Sequence, residues 1–169
     1  FLTLISLAIG QERSMIFNAG PPNTQEGYLL TNNNGSGTIM SDRFYVSNDY
    51  VLEALTVYLK LVDSDSGSVT LSLHEDNEKA PGTTVFSWNI ELDPTDFVLD
   101  DYLIITVGEC HTMWGGNNYW LSVMVNEPGV QVLWGNSPTQ FFYTASSLDL
   151  GLTWDTPLLG FAVAARSGA

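Results

Sequence analysis

Hydrophobic and polar residues alternate one by one in several short stretches of the chain. In residues 52–62, every second side chain from Leu55 to Leu61 is apolar, and Tyr58 and Lys60 lie between them. Successive side chains of a β-strand point to opposite faces. This period of two therefore predicts a strand with one face toward a core and the other toward water.

Residues 68–75 repeat the pattern and predict a second strand beside the first. Apolar residues from Val69 to Leu73 alternate there with serine, threonine and finally His74. The polar segment 63–67 between the two stretches suits a hairpin turn, so we expect the two strands to pair in antiparallel fashion. His74 is then expected on the outer face of the sheet.

Stretches of this kind, rich in β-branched and aromatic residues, recur along the chain between clusters of Gly, Asn, Asp and Pro. Because no helical period is sustained, the fold class predicted is all-β, a two-sheet antiparallel sandwich of jelly-roll-like form with an additional N-terminal strand. We expect one sandwich domain at 15–169 and a hydrophobic N-terminal arm at 1–14. The predicted strands are 15–18, 27–31, 43–47, 52–62, 68–75, 83–92, 101–107, 118–126, 130–135, 140–145 and 159–165.

The first ten residues are uncharged, and they are half as many as the roughly 20 that a membrane-spanning helix needs. We therefore expect no transmembrane segment. Their alternation predicts a strand that adds either to the sheet of its own domain or to a groove in a neighbouring copy, as in donor-strand complementation. Small residues at Ala8 and Gly10 leave a second interpretation open, the end of a secretory signal peptide. The residues expected on the pairing face are Phe1, Thr3, Ile5, Leu7 and Ile9.

The charge balance excludes some classes of partner. Five Lys and Arg stand against nineteen Asp and Glu, so the formal net charge is -14. Such a surface repels nucleic-acid phosphates and anionic lipid headgroups, and we expect no nucleic-acid binding. A polar surface built mainly from Asn, Ser, Thr and Gly is typical of secreted β proteins, which predicts an extracellular or cell-surface location.

Four sequence runs resemble one family. The runs are SLHEDNEKAPGT (72–83), NYWLSV (118–123), LGLTW (150–154) and LGFAVAA (159–165). Together they resemble secreted prokaryotic β-sandwich surface modules of the anchor-variable or sorting-tag type, over roughly residues 16 to 165. The resemblance implies an extracellular jelly-roll-like module with no known catalytic role.

Residues suited to catalysis are few. Cys110 and His111 are adjacent, and adjacent residues of a strand point to opposite faces, so they do not form a dyad there. His74 and His111 supply no zinc spacing, and a single cysteine cannot form an intramolecular disulfide. We expect no enzyme. A hydrolase with a pair of carboxylates is the remaining enzymatic alternative.

Two acidic loops and one sequon are candidate sites for metal or glycan. Asp63 and Asp65 have an alternate spacing that suits Ca²⁺, although a polar turn with positive φ explains the same residues better. The run 74–78 has the same two interpretations, and a turn is again preferred. We therefore expect no cofactor, with Ca²⁺ as the one candidate. Asn34 begins an Asn-Gly-Ser sequon in a predicted loop, where a glycan or simply a tight turn is expected.

Aromatic residues in loops are candidates for carbohydrate contact. Trp114 precedes two glycines and is expected in an exposed loop, with Asn117, Asn118 and Asp101 as hydrogen-bonding partners, and Trp154 is the second candidate. Aromatic faces stack on sugar rings, and amides bind hydroxyls. The other tryptophans, which lie in predicted strands and are expected to pack, are Trp88, Trp120 and Trp134.

Two functions from different classes follow. The first is a non-enzymatic extracellular structural protein, the subunit of a self-assembling filament or surface layer whose copies are joined by insertion of residues 1–10. The alternative is a monomeric carbohydrate-binding or adhesive module with a surface polysaccharide as its partner. The first requires residues 1–10 to enter another copy of the chain. The second requires them to stay in their own domain or to be absent.

Overall fold

The computed structural model describes residues 17–18, 22, 27–95, 98–99, 102–156, 160–163 and 165–168. This part of the chain contains thirteen strands and no helix. The strands are β1 (Phe17–Asn18), β2 (Gly27–Asn32), β3 (Gly37–Val46), β4 (Tyr50–Val62), β5 (Gly67–Asn77), β6 (Ala80–Leu92), β7 (Val98–Leu99), β8 (Tyr102–Met113), β9 (Asn117–Val125), β10 (Gln131–Phe142), β11 (Thr144–Ser147), β12 (Gly160–Val163) and β13 (Ala165–Gly168). The predicted N-terminal strand with Phe1, Thr3, Ile5, Leu7 and Ile9 lies outside the described residues.

The expected all-β class is confirmed, but the expected two-sheet sandwich is not, because the strands join into one curled antiparallel sheet, a half-barrel. Its main path runs β1-β13-β4-β10-β2-β3-β9-β5-β6, and β8 pairs along the remaining edge of β4. Strand β3 links the two halves of the sheet. Its first residues pair with β2, and its later residues, from Met40 to Val46, pair with β9.

The predicted hairpin between β4 and β5 is wrong. Strand β4 pairs with β8, β10 and β13, whereas β5 pairs with β6 and β9. Both strands nevertheless contribute to the same hydrophobic core, Val57 from β4 and Leu71 from β5. The segment 63–66 therefore leads the chain from one half of the sheet to the other, so that both apolar faces contact one core instead of lying side by side.

The alternation predicted for β4 is confirmed on its inner face, where Leu55, Val57 and Leu59 are buried. Its outer face differs from the prediction, since Tyr58 is only 4% exposed and does not face water. Tyr58 packs with Tyr102 in a small second cluster outside the sheet. The Tyr102 ring of the neighbouring strand β8 thus shields Tyr58 from water. In the sequence, the polar hydroxyl of Tyr58 had suggested an exposed position.

The acidic run 74–78 is not the turn that the sequence predicted. Strand β5 continues through Asn77, and the chain reverses at Glu78 and Lys79, whose φ angles are 51° and 75°. Two central residues with positive φ between paired Asn77 and Ala80 form a two-residue hairpin of the type I′ class. Asn and Gly are the usual residues of such turns, so Glu-Lys carried no recognisable turn signal.

Candidate functional site

One end of the β5–β9 strand pair forms an open cleft with a volume of about 330 Å³. The loop between β8 and β9 supplies one wall, and the last residues of β5 supply another. In the sheet, Glu75 is paired with Tyr119, which places the carboxyl end of β5 beside the start of β9. The residues lining this cleft, called the Trp114 cleft below, are Glu75, Asp76, Trp114, Gly116, Asn117, Asn118 and Tyr119.

Trp114 is an exposed aromatic side chain on a fixed backbone. It is 60% exposed, while its backbone N–H donates to the Tyr119 hydroxyl at 2.9 Å. The following glycines are also held, because Gly115 N–H donates to an Asp49 carboxylate oxygen at 2.8 Å and Gly116 N–H donates to the Val46 carbonyl at 2.8 Å. The indole is therefore presented to solvent without a large entropic cost of ordering its backbone on binding.

Two amides stand beside this indole. The Asn117 side chain is exposed, and its Nδ2 donates to the Trp114 carbonyl at 3.2 Å. Asn118, half-buried, is paired with Tyr45 of β3. Trp114, Asn117 and Asn118, which the sequence analysis grouped as possible sugar contacts, all line the Trp114 cleft.

Asp76, which lines the cleft, forms an ion pair with Arg43. Arg43 Nη2 donates to Asp76 Oδ2 at 3.0 Å, and Arg43 Nε lies 2.9 Å from Asp76 Oδ1. The same Oδ1 accepts from Trp120 Nε1 at 2.7 Å. A planar guanidinium that meets a carboxylate through two nitrogens fixes its orientation. Asp76 is therefore a rigid acceptor group, and Arg43 also lies over the Trp120 and Tyr143 rings.

The arrangement combines a flat apolar surface with groups that bind hydroxyls. Trp114 offers the aromatic face, and Asn117, Asn118 and Glu75 add amide and carboxylate groups around it. The sequence analysis did not include Arg43, Asp76 or Tyr119 in this site. The pairing of β9 with β3 and β5 brings them together, and the sequence carries no local signal for pairing between such distant segments.

Trp154, the second predicted contact, lies in a different cleft. This Trp154 cleft has a volume of about 560 Å³ and is lined by the β5–β6 hairpin and the loop at residues 150–154. The Trp154 ring contacts the His74 ring edge-on, with centroids 6.2 Å apart. The two predicted tryptophans therefore do not share one site.

The prediction that His74 faces water is wrong. Its side chain is 8% exposed, with Nε2 2.8 Å from the Ser122 hydroxyl and Nδ1 3.3 Å from the Gly82 carbonyl. Burial lowers the pKa of His74 from its ordinary value of 6.5. The β6 hairpin and the loop that carries Trp154 cover this outer face of the sheet, and the alternation of β5 alone does not reveal such a cover.

The acidic residues that were candidates for a Ca²⁺ site have no further ligands grouped around them in the described part of the chain. Among the described residues, no three His, Cys, Asp or Glu side chains are grouped as a metal site would require. Asp63 and Asp65 are exposed, and Asp63 has the positive φ of 55° expected for a turn. His111 is half-buried in β8, the strand that also contains Cys110. Asp101 lies outside the described residues.

The sequon at Asn34 occupies the predicted turn. Asn34 and Gly35 have φ angles of 55° and 103°, and the turn closes by a hydrogen bond from Asn33 N–H to the Ser36 carbonyl at 2.6 Å. All four residues are exposed. The position is sterically open to a glycan, and the Asn-Gly pair is also explained by the turn itself.

No protein-family model matches the chain, and neither a curated protein nor a solved structure matches it. In the described part of the chain, no helix has the length and hydropathy needed to cross a membrane.

Proposed function

We propose that this protein is a non-enzymatic, extracellular carbohydrate-binding module whose site is the Trp114 cleft. The observation that carries the proposal is the meeting of an exposed indole on a fixed loop with amide and carboxylate side chains in one open cleft. Sugar rings have an apolar face that stacks on aromatic rings and a rim of hydroxyls that needs such polar groups.

The charges of the cleft restrict the ligand. Glu75 and Asp76 both line it, and the whole chain has a formal net charge of -14. Uronates and sulfated sugars would be repelled. The expected ligands are therefore neutral sugars, together with amino sugars, whose ammonium group Glu75 would attract, since the charge of Asp76 is balanced by Arg43.

Native affinity electrophoresis in gels that contain soluble polysaccharides tests the proposal. We expect retardation by a neutral polysaccharide or by chitosan, and none by polygalacturonate. Trp114→Ala should weaken that retardation at least about tenfold, since an aromatic contact is worth on the order of 1.5 kcal/mol or more. Trp114→Phe should retain part of it. Leu29→Ala, which removes an exposed apolar side chain from β2, is the matched control. Equal retardation of Trp114→Ala and the unaltered chain would exclude the site.

A second candidate function is assembly into filaments or surface layers through insertion of residues 1–10, and we propose it for the sheet edge formed by β6. Among the described strands, β6 pairs only with β5, and its thirteen residues are long for an edge. The unpaired backbone groups of an edge strand can accept an additional strand. In a filament of many copies, residues 1–10 of one copy would pair with β6 of the next.

Electron microscopy and light scattering of the full chain and of a chain without residues 1–10 test assembly. We expect filaments from the full chain, monomers from the shortened chain, and capping of the full chain by a peptide of residues 1–10. Equal monomeric behaviour of both chains would exclude this candidate and would leave the carbohydrate proposal untouched.

A further inference from the structure

The Trp154 cleft differs in character from the Trp114 cleft. It lies on the outer face of β5 and β9, and among the described residues no Asp, Glu, Lys or Arg side chain lines it, in a protein whose formal net charge is -14. The polar side chains that line it are hydroxyls, one amide and one imidazole, from Ser72, His74, Asn77, Thr83, Thr84, Ser122 and Thr153. An isolated charged ligand group would find no opposite charge here and would lose its hydration.

The polar side of this cleft is fixed in position. His74 Nδ1 lies 3.3 Å from the Gly82 carbonyl. His74 Nε2 lies 2.8 Å from the Ser122 hydroxyl, which also donates to the Ser72 carbonyl at 3.4 Å. Thr84 Oγ1 lies 3.2 Å from the same Nδ1. These groups need little rearrangement to meet a ligand, which reduces the entropic cost of binding.

The apolar side of the cleft is the loop at residues 147–153, called the lip below, which side-chain hydrogen bonds hold in place. Leu152 is 85% exposed, although the loop that carries it is cross-linked by side-chain hydrogen bonds. The Asp149 carboxylate accepts from the Thr153 N–H at 2.9 Å and from its hydroxyl at 2.6 Å, and the Ser147 hydroxyl accepts from Gly151 N–H at 2.8 Å. The lip therefore holds a large apolar side chain in water beside Trp154, where it can contact a ligand in the cleft.

We propose that the Trp154 cleft is a second, separate binding site that takes an uncharged saccharide. The volume of about 560 Å³ lies in the range of small-molecule sites. Trp154 and Leu152 would cover the apolar face of the sugar, and the exposed side chains of Asn77, Thr83 and Thr84 would meet its hydroxyls. With the Trp114 cleft on the same β5–β9 pair, the protein would hold two sugar segments and gain avidity on a polysaccharide.

The test uses the full chain and gels that contain β-glucan, mannan or galactan as neutral probes, and polygalacturonate and chitosan as charged probes. In a Trp114→Ala background, we expect retardation by at least one neutral probe to remain. Leu152→Ser should weaken that remaining retardation about tenfold, as burial of part of a leucine side chain is worth on the order of 1.4 kcal/mol. Trp154→Ala should abolish it. Leu148→Ser is the matched control, because Leu148 is 66% exposed on the same loop and does not line the cleft.

The outcomes separate the two sites. If Trp154→Ala and Leu152→Ser change nothing in either background, the second site is overturned and the Trp114 cleft is unaffected. If Trp154→Ala and Leu152→Ser each lose retardation while Trp114→Ala keeps it in full, the second site is supported and the Trp114 cleft is overturned. Equal retardation by polygalacturonate would overturn the selectivity for uncharged sugars. Leu152→Ser changes only an exposed side chain, so it keeps the test valid if Trp154→Ala fails to fold.

Discussion

Removal of the Asp76 carboxylate should weaken the fold by an amount that the geometry allows us to bound. Asp76 contacts Arg43 through two nitrogens and Trp120 through one, at 2.7 to 3.0 Å. The side chains of Arg43 and Asp76 are 14% and 21% exposed, which lies between a surface pair and a buried pair. Surface pairs contribute up to about 1 kcal/mol, and breaking a fully buried pair costs about 3–5 kcal/mol. We therefore expect Asp76→Asn to lower the free energy of unfolding by about 2 kcal/mol.

Urea denaturation of Asp76→Asn, Arg43→Met and the double variant measures this effect. We expect an interaction energy of about 1.5 kcal/mol between the two positions, since each single change leaves the other partner without its counter-charge. Asp65→Asn is the control, as Asp65 is exposed in a loop and should change the free energy of unfolding by less than about 0.5 kcal/mol. An interaction energy below about 0.5 kcal/mol would refute the view that Arg43 holds the Asp76 carboxylate in position in the Trp114 cleft.

Three further predictions concern the turn and the titrating groups. Replacing Glu78-Lys79 by Asn-Gly should raise the free energy of unfolding by about 1 kcal/mol, because these residues tolerate positive φ, and equal or lower stability in urea would contradict the turn type. Burial lowers the pKa of His74, so the unfolded chain binds a proton at this side chain more readily than the folded chain does. The free energy of unfolding should therefore be highest above pH 6.5 and should fall as the pH drops below that value. His74→Gln should flatten this pH dependence in denaturation curves. Hydrogen bonds from Thr153 and Ser147 lower the pKa of Asp149 to about 2, so its contribution to stability should be lost only as the pH falls from 3.8 toward 2, and Asp149→Asn should remove that step from acid titrations.

The sequence predicted those features that local physics determines. Period-two alternation located β4 and the inner face of β5, and the Asn-Gly pair located the turn at Asn34. Trp114 was recognised because two glycines follow it and exclude a strand interior. Each of these signals lies within a few residues of the feature that it predicts.

Pairing between distant strands was not predictable in the same way. The alternation of β4 and β5 is compatible with a hairpin, and only the need of both strands to bury an apolar face against one core places them in different halves of the sheet. For the same reason, the sequence did not reveal the ion pair between Arg43 and Asp76 beside the Trp114 cleft. Arg43 and Asp76 are 33 positions apart, and nothing near either residue indicates the other.

The two clefts lie where β5 departs from regular pairing with β6. Register shifts occur between Leu73 and His74 and again between His74 and Asp76. A bulge turns side chains away from regular alternation and bends the strand, and such features are common beside binding sites. Both shifts add a residue to β6, whereas β5 keeps its regular register with β9 through Glu75. Beside this segment, His74 lines the Trp154 cleft and Asp76 lines the Trp114 cleft, two positions before the tight turn at residues 78–79 closes the hairpin. A change that restored regular pairing in β6 would therefore disturb the Trp154 cleft, which Gly82, Thr83 and Thr84 line, and would leave the lining of the Trp114 cleft in place.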